Sequence, residues 1–229
     1  LYSQAQLAMD AENTSTYLAL LDENGDMELA LSSMDIMEKM NIAFIEEKRE
    51  VIENSPFSIV DTNIPTEVLE YMVKNLNVDF FLDTVSTTKA MKVKNILGYF
   101  HTIKPNKLEA EILSGIKIIN SMDLKKSAEY FVKQGVKRVF ITLGENGVYY
   151  FDGAVEKYIK APNIEIINAT EAGDAFMAAI AYAHLDNLDI ENTLKFAITT
   201  SILTLENEYT INPNISVKSI IKRMKELKL

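Results

Sequence analysis

The stretch VDFFLDTVSTTKAMKVKNILGYFHTIK, Val78–Lys104, decides the fold class because its pattern changes twice along its length. Its first part, VDFFLD, is a short and largely apolar run of the kind found in strands that are buried on both faces. The middle part, TTKAMKVKNIL, has the apolar spacing of a helix, and the last part, YFHTIK, is again strand-like. A strand, a helix and a second strand in this order predict two parallel strands joined by a crossover helix.

The same alternation continues on both sides of this stretch. FSIVD and KRVFIT are predicted strands, and PTEVLEYMVKNL is a predicted helix. NKLEAEILSG and DLKKSAEYFVKQG are predicted helices that each end at a glycine. GVYYF and VEKYIKA predict a further pair of strands, and helical patterns dominate from Ala172 onward. The sequence therefore predicts an α/β fold with a mostly parallel sheet that is covered by helices on both faces.

A different pattern precedes this alternation. TYLALLDENGDMELALS, Thr16–Ser32, contains two apolar runs around Asn24-Gly25, a dipeptide that favours the type I′ turn of a β-hairpin. Because the hairpin falls outside the alternation, we expect it to form an appendage or edge flap. The segment NIAFIEEKREVIEN, which follows it, has helical spacing.

Composition excludes several classes of function. The chain has 229 residues, a net charge of −10, two histidines and no cysteine. Without cysteine there is no disulfide or thiolate chemistry, which fits a reducing cytoplasm. Because His101 and His184 are also far apart in sequence, a zinc site of the usual Cys/His kind is not expected. No cluster of cations favours nucleic acid as a partner. No apolar run has the length of a membrane span and no signal-peptide pattern opens the sequence, so no membrane partner is expected.

Three polar clusters follow predicted strands, and ligands of open α/β sheets bind beyond the carboxyl ends of the strands. The first cluster, KPNKLEAE, follows the strand that ends at Lys104. Asn106 and Glu109 have the spacing of a helix N-cap pair, with Asn in place of the usual Ser or Thr. The same two side chains present oxygens on one helical face, which suits a hydrated Mg²⁺. Both interpretations stay open at this point.

The second cluster, TLGENG at Thr142–Gly147, follows the apolar run VFI. One interpretation is a glycine turn that joins two strands. The other is a nucleotide loop, in which Thr142 offers a hydroxyl and Gly144 and Gly147 let the backbone approach a phosphate closely. The Walker pattern GxxxxGK[ST] does not occur in the sequence, so the loop is not a P-loop.

The third cluster, NATEAGDAFMAAIAYAH at Asn168–His184, places Gly173 and Asp174 at the start of a helix built largely from small residues. In one interpretation Asp174 only caps the helix and interacts favourably with its dipole. In the other, the unpaired N–H groups of Ala172, Gly173 and Asp174 form an anion cradle. Asp174 then accepts a hydroxyl proton next to a transferring phosphate.

These motifs together resemble a known family. KPNxxE, TxGxxG and AGDAF, in this order and at these separations, are similar to the motifs of the ribokinase-like (PfkB) carbohydrate kinases. LDTVSTTKA resembles the DPVSxxK segment of that family, with Thr84 where proline is usual. The stretches HTIKPNKLEAEILSG, GVKRVFITLGENGVYYFD and ENEYTINP resemble the pseudouridine kinase branch. The resemblance extends from about Asn13 to the last predicted helix.

The resemblance implies a ribokinase-like three-layer sandwich with a small β lid. Residues 1–32 correspond to part of the lid, and residues 33–229 correspond to the α/β domain that carries the ATP site. The family's first central strand and its Gly-Gly sugar-binding motif have no counterpart here, so the N-terminal strands of the family domain are expected to be missing. Glu171 stands where the family has the first glycine of its GAGD motif.

The resemblance also implies a role for each matching residue. Asp174 corresponds to the catalytic base, and the N–H groups of Ala172, Gly173 and Asp174 correspond to the anion hole. Asn106 and Glu109 correspond to the motif that organises Mg²⁺, through water. The implied ATP-contacting positions are Thr142, Gly144, Gly147, Ala197 and Thr200.

The implied reaction is ATP-dependent phosphorylation of the 5′-hydroxyl of a nucleoside or sugar, with pseudouridine as the favoured substrate. ATP and Mg²⁺ are the implied cofactors, and the implied partner is a small-molecule sugar or nucleoside in the cytoplasm. A monovalent cation and a homodimer are left open. Two alternatives remain: another PfkB-type kinase of ribose, fructose or a similar sugar, and a catalytically impaired nucleotide-binding relative. Glu171 and the missing N-terminal part favour the second alternative.

Overall fold

A computed structural model of the chain describes residue 9, residues 12–21 and residues 27–229. Over these residues the protein has a six-stranded central sheet and a separate two-stranded sheet, with helices packed against the larger one. The predicted α/β fold class, with a mostly parallel sheet and a small β element, is confirmed. No helix in this part of the chain is both long and apolar enough to cross a membrane.

The described strands, in chain order, are β1 Thr16–Leu21, β2 Met27–Ser33, β3 Ser58–Asp61, β4 Phe80–Asp83, β5 Thr102–Lys104, β6 Arg138–Thr142, β7 Val148–Phe151 and β8 Glu156–Ile159. The central sheet has the order β3-β4-β5-β6-β7-β8. From β3 to β6 the strands are parallel, whereas β7 is antiparallel to β6 and β8 is antiparallel to β7. Parallel neighbours need a long connection between them, and the predicted helices supply it.

The described helices are α1 Ile42–Glu47, α2 Arg49–Glu53, α3 Thr66–Asn75, α4 Thr87–Ala90, α5 Lys107–Ser114, α6 Ser121–Gln134, α7 Ala172–Leu185, α8 Ile190–Leu205 and α9 Val217–Leu227. Side chains of α3, α5 and α6 belong to the core on one face of the sheet. Side chains of α7, α8 and α9 belong to the core on the other face.

Successive residues of a central strand enter different cores. In β4, Phe80 and Leu82 pack with α3, α5 and α6, whereas Phe81 packs with α7 and α8. In β6, Ile141 and Phe140 divide between the same two cores. A strand with both faces buried must be apolar at consecutive positions, which explains the continuous runs in the sequence. The result is a three-layer sandwich of helices, sheet and helices.

One predicted helix is divided in the structure. NIAFIEEKREVIEN forms two short helices, α1 and α2, that meet at Lys48. A second predicted helix, TTKAMKVKNIL, is shorter than expected, because α4 ends at Ala90 and is followed by 3₁₀ turns at Met91–Val93 and Leu97–Tyr99. The helical type was right in both cases, and the extents were wrong.

The second of these 3₁₀ turns packs closely against the end of α6. A Cβ added to Gly98 would be 2.0 Å from the carbonyl oxygen of Gln134, so this close approach requires glycine. After the turn β5 begins at Thr102 and is shorter than the predicted YFHTIK strand.

The predicted N-terminal hairpin is confirmed in its strand pairing. β1 and β2 are antiparallel, with Thr16 opposite Ser33 and Leu20 opposite Leu29. The register shifts by one residue after Leu20. The predicted turn at Asn24-Gly25 lies outside the described residues.

The two histidines, distant in sequence, lie next to each other at the amino ends of the parallel strands. The ring centroids of His101 and His184 are 5.6 Å apart. His101 directly precedes β5, and Nη1 of Arg138, the first residue of β6, lies 3.3 Å from Nδ1 of His184. Burial lowers the pKa of both histidines below the ordinary value. This cluster lies at the edge of the sheet opposite the carboxyl ends of the strands.

Gly144 and Gly147 lie in the turn between β6 and β7, and both have a positive φ, of 59° and 93°. A Cβ on Gly147 would lie 2.0 Å from the carbonyl oxygen of Ile159 in β8, so the close approach of the two backbones requires glycine. A Cβ on Gly144 would have no atom within 4 Å. Gly147 is therefore required by packing, whereas Gly144 has open space above it.

These two glycines allow a matched stability test. Gly144→Ala should lower the free energy of unfolding by only about 1 kcal/mol, the cost of a left-handed alanine. Gly147→Ala should lower it by roughly 3 kcal/mol or more, because backbone overlap adds to that cost. Urea unfolding of both variants and the unchanged protein measures the difference. Equal losses for the two variants would show that Gly147 does not contact β8 as described.

Candidate active site

The carboxyl ends of β3, β4, β5 and β6 lie along one edge of the central sheet, because these strands are parallel. The strands end at Asp61, Asp83, Lys104 and Thr142. Such an edge is where open α/β sheets bind their ligands. The polar side chains that follow these strand ends, together with the first turn of α7, form what we call the candidate site.

Asn106 and Glu109 form the capping box that their spacing predicts, at the start of α5. Oδ1 of Asn106 accepts a hydrogen bond from the Glu109 N–H at 2.9 Å, and Oε2 of Glu109 accepts one from the Asn106 N–H at 2.8 Å. Nδ2 of Asn106 donates to Oε1 of Glu109 at 2.9 Å. The helix therefore begins immediately after β5, with its first N–H groups satisfied.

Glu109 also joins neighbouring strand ends. Its side chain is buried, and its Oε2 accepts a hydrogen bond of 2.6 Å from Oγ1 of Thr84, the residue that follows β4. The Thr84 carbonyl accepts a hydrogen bond of 2.8 Å from Oγ1 of Thr62, the residue that follows β3. One carboxylate thus connects β4 to the start of α5, and Thr84 extends this connection to β3.

These contacts limit how the site can hold Mg²⁺. Glu109 accepts hydrogen bonds from Thr84 Oγ1, from the Asn106 N–H and from Asn106 Nδ2. An ionised carboxylate has about four acceptor sites, so the one that remains suits a metal-bound water and not direct ligation. Among the described residues no group of three or more His, Asp or Glu is arranged to hold a metal ion. The residues present therefore fit Mg²⁺ only as a hydrated ion with other ligands of its own.

Thr142 belongs to the same cluster. It forms a parallel β-bridge with Asn106, and its N–H donates to the Pro105 carbonyl at 3.0 Å. Within the described part of the chain no partner is found for its hydroxyl, which is half-buried. With the open backbone at Gly144, this strand end offers a hydroxyl and an accessible turn.

The first turn of α7 completes the candidate site. Its N-cap residue, Glu171, has left-handed backbone geometry with φ of 63° and makes no capping hydrogen bond with its side chain. The N–H groups of the first helical residues point away from the helix without an intrahelical acceptor, as at any helix start. The Ala172 carbonyl accepts a hydrogen bond of 2.8 Å from Oγ of Ser201 in α8, which fixes this turn. A fixed helix amino end of this kind attracts anions.

Glu171 and Asp174 form a pair of carboxyl groups on this turn. Both residues are exposed. The pKa of Glu171 is raised to about 7. The largest cause is a hydrogen bond with the Asp174 carboxyl, followed by burial and then by the charge of Asp174. Below that pH the pair shares one proton, which Glu171 donates to Asp174. The residue in place of the family glycine is therefore hydrogen-bonded to the predicted base.

A buried ion pair lies beneath the same turn. Nζ of Lys104 is 2.9 Å from Oδ2 of Asp83, and both residues are less than one tenth exposed. A Cβ added to Gly173 would lie 3.3 Å from this Nζ. The lysine ammonium thus lies between the carboxyl ends of β4 and β5 and the second residue of α7.

Ala197 and Thr200 are placed differently from the other predicted residues. Both lie on α8 and are buried, and Ala197 belongs to the apolar core shared with α7. The Thr200 hydroxyl donates to the Phe196 carbonyl at 2.8 Å. The structure thus brings together Asn106, Glu109 and Thr142 at the strand ends, whereas the side chains of Ala197 and Thr200 face the interior. Their predicted contact with ATP remains a prediction.

Sequence reasoning did not single out Asp83, Lys104 or Ser201. Asp83 and Lys104 are charged residues that end two otherwise apolar strands, and the two strands were predicted to be neighbours. This combination is a signal that could have identified the pair, because a charge at the end of a buried strand needs a partner nearby. No comparable signal marks Ser201, a serine within a helical pattern.

The sequence profile of the pfkB family carbohydrate kinases matches residues 3–217 of this chain. The pseudouridine kinase of Escherichia coli (strain K12) is 38% identical over 222 residues, which make up 96% of this chain and 71% of that protein. The match therefore extends over the hairpin, the sheet and the candidate site.

Solved structures agree with this match. A Clostridium perfringens protein described as a candidate sugar kinase aligns with a TM-score of 0.84 and 41% identity, over 93% of this chain and 68% of its own. Arabidopsis thaliana ribokinase, solved with ribose and ATP, aligns with a TM-score of 0.83 and 22% identity, over 94% of this chain and 70% of its own. The second likeness is one of fold. The chain belongs to the pfkB family of carbohydrate kinases, and thereby to the phosphotransferases that act on an alcohol group.

Proposed function

We propose that the protein carrying this chain transfers the γ-phosphoryl group of ATP to a hydroxyl of a nucleoside or sugar, and that pseudouridine is its substrate. The observation that carries this proposal is the first turn of α7, where the Asp174 carboxyl and the amides of the helix start come together. The 38% identity to an E. coli pseudouridine kinase supports the choice of substrate. The reaction consumes ATP, which implies the cytoplasm as its compartment.

In this proposal Asp174 accepts the proton of the attacking hydroxyl. The N–H groups of Ala172, Gly173 and Asp174 hold the charge that develops on the transferring phosphoryl group, in what we call the anion hole. A base and a set of fixed donors on one helical turn are the elements that phosphoryl transfer needs, since it depends mainly on positioning and charge stabilisation.

The nucleotide lies, in this proposal, against the turn between β6 and β7. Thr142 offers its hydroxyl, Gly144 lets a phosphate approach the backbone, and Gly147 keeps the turn closed against β8. Ala197 and Thr200, on α8, belong to the proposed ATP-contacting wall, and the neighbouring Ser201 binds Ala172. Asn106 and Glu109 keep the strand end in place. They would also accept hydrogen bonds from the water shell of Mg²⁺, an ion that would reduce the negative charge of the ATP phosphates.

The proposed division of the chain follows the same logic. Residues 1–32 act as a lid, because the described strands β1 and β2 form a sheet of their own, apart from the central sheet. Residues 33–229 form the domain with the ATP and phosphoryl-transfer site. In this arrangement the lid faces the sugar or nucleoside, and the domain supplies the base and the anion hole.

The substrate is tested by supplying ATP, Mg²⁺ and single acceptors to the protein that carries this chain. Phosphorylation of pseudouridine should be faster than that of ribose, fructose or uridine, as measured by coupled release of ADP. Preference for ribose or fructose would contradict the pseudouridine assignment and keep the family activity. Lack of turnover with every acceptor, together with ATP binding, would favour the impaired nucleotide-binding relative.

The role of Asp174 is tested by Asp174→Asn, which keeps the size of the side chain and the backbone amides. We expect kcat to fall by roughly 10²–10⁴-fold, because the general base is lost. The Kd for ATP should change little, since the amides remain. Asp186→Asn, at the other end of α7, is the matched control and should leave kcat unchanged. Near-normal kcat for Asp174→Asn would leave Asp174 only a favourable interaction with the dipole of α7.

The carboxyl pair predicts a dependence of stability on pH. The pKa of Glu171 is raised in the folded protein to about 7 from an ordinary value of 4.5, so the folded state holds this proton more tightly than the unfolded state. The contribution of this carboxyl group to the free energy of unfolding should therefore be largest below pH 4.5 and should fall as pH rises toward 7. Because Glu171 is exposed, solvent screening limits the change to about 1 kcal/mol.

Glu171→Gln isolates this contribution. The variant should lack the part of the fall that belongs to Glu171, and all other titrating groups cancel in the difference from the unchanged protein. Urea unfolding of both proteins between pH 4.5 and 7.5 provides the measurement. Parallel stability curves across this range would show that Glu171 and Asp174 do not share a proton.

A further inference from the structure

Lys104 is a buried cation for which the proposed reaction, as stated so far, has no use. It is the last residue of β5 and is only 5% exposed. Its ammonium lies 2.9 Å from Oδ2 of Asp83, the residue directly opposite it in β4. Desolvation of a lysine is costly even when a carboxylate compensates it. A buried lysine at this position therefore calls for a physical reason.

The position of the ammonium relative to α7 is the second observation. A Cβ on Gly173 would lie 3.3 Å from Nζ of Lys104, the one atom found within 4 Å among described residues outside its chain neighbours and the nearby backbone of α7. The positive charge is thus placed at the amino end of a 14-residue helix, which itself carries about half a positive charge. The Asp83 carboxylate offsets the charge of the ammonium, and an anion bound at the helix end would be attracted by both positive features.

The donors of the ammonium give the third observation. A lysine ammonium has three N–H donors. In the part of the chain that the structure describes, Asp83 is the only partner found for it. The ion pair therefore leaves N–H donors of the ammonium without a protein partner among the described residues.

We propose that Lys104 is a positioning residue of the anion hole, held in place by Asp83, and that its charge strengthens the attraction of the α7 amides for a phosphoryl group. Gly173 keeps a side chain from lying between the ammonium and the bound group. This inference rests on the proposed function, because it assigns the anion hole a phosphoryl ligand. It gives a role to the lysine of the KPNxxE motif, to which the proposed reaction assigns none.

Because Lys104 and Asp83 have opposite charges, neutralising one or the other should change the Kd for an anion in opposite directions. Lys104→Met removes the positive charge and should raise the Kd for an inorganic polyanion by roughly tenfold, a change that corresponds to about 1.4 kcal/mol. Asp83→Asn leaves the lysine without its counter-charge and should lower the same Kd by at least about threefold. An ion pair with a purely structural role would make both variants bind more weakly, since either change loosens the strand ends.

Tripolyphosphate is the probe, and its binding is followed by the NMR shifts of the Gly173 and Asp174 amides. Lys104→Arg keeps the charge and should bind with a Kd within about threefold of the unchanged protein. The matched control is Lys222→Met in α9, where an exposed lysine lies 3.8 Å from Glu226, and it should leave the Kd unchanged. If Lys104→Met proves too unstable, the neutral double variant Asp83→Asn/Lys104→Met avoids a lone buried charge and should still bind about tenfold more weakly.

The two hypotheses fail in different ways. If tripolyphosphate does not shift these amide signals in the unchanged protein, the anion hole is overturned, and the proposed role of Lys104 is overturned with it. If the unchanged protein binds tripolyphosphate and Lys104→Met binds it with the same Kd, the role of Lys104 alone is overturned. Weaker binding by both Lys104→Met and Asp83→Asn would also overturn it, because the pair would then be structural.

Discussion

The buried ion pair between Asp83 and Lys104 is the contact on which the arrangement of the candidate site depends. It joins β4 to β5 at their carboxyl ends, and its lysine reaches α7 at Gly173 on one face of the sheet. Loss of either partner would leave an uncompensated charge in a nearly closed space, which is far more costly than loss of an exposed pair. The ion pair therefore fixes the ends of β4 and β5 relative to each other, and the first turn of α7 packs over its lysine.

The capping box shows that a structural and a functional interpretation of one motif need not exclude each other. Glu109 satisfies the start of α5 and accepts from Thr84, so most of its acceptor capacity is used within the protein. A carboxylate held this firmly cannot turn to bind a metal ion directly. It can, however, present one remaining lone pair at a constant position, which is what a hydrated ion requires of a neighbouring group.

Much of the fold follows from the sequence, because strands such as FFLD and RVFIT must be apolar at every position to fill two cores. The cluster of Asn106, Glu109 and Thr142 was predictable for the same reason, since parallel strands end at one edge. The contact between Lys104 and Gly173 was not predictable, because it depends on how far α7 is shifted over the sheet. The interior orientation of Ala197 and Thr200 depends on the rotation of α8, which apolar spacing alone does not define.

Glu171 shows how a backbone requirement can place a second acid beside a base. Its left-handed geometry costs a non-glycine residue about 1–2 kcal/mol, and such strain persists only where the surroundings define the conformation. Ser201 fixes Ala172, and Gly173 packs over Lys104, so the residue before them has little freedom whatever its side chain. Its carboxyl group is hydrogen-bonded to that of Asp174. If Asp174 is the base of the proposed reaction, a protonated Glu171 makes it a weaker proton acceptor, whereas an ionised Glu171 adds negative charge at the turn where the phosphoryl group would bind. The protonation of Glu171 would then decide how far the proposed anion hole departs from one that begins with glycine.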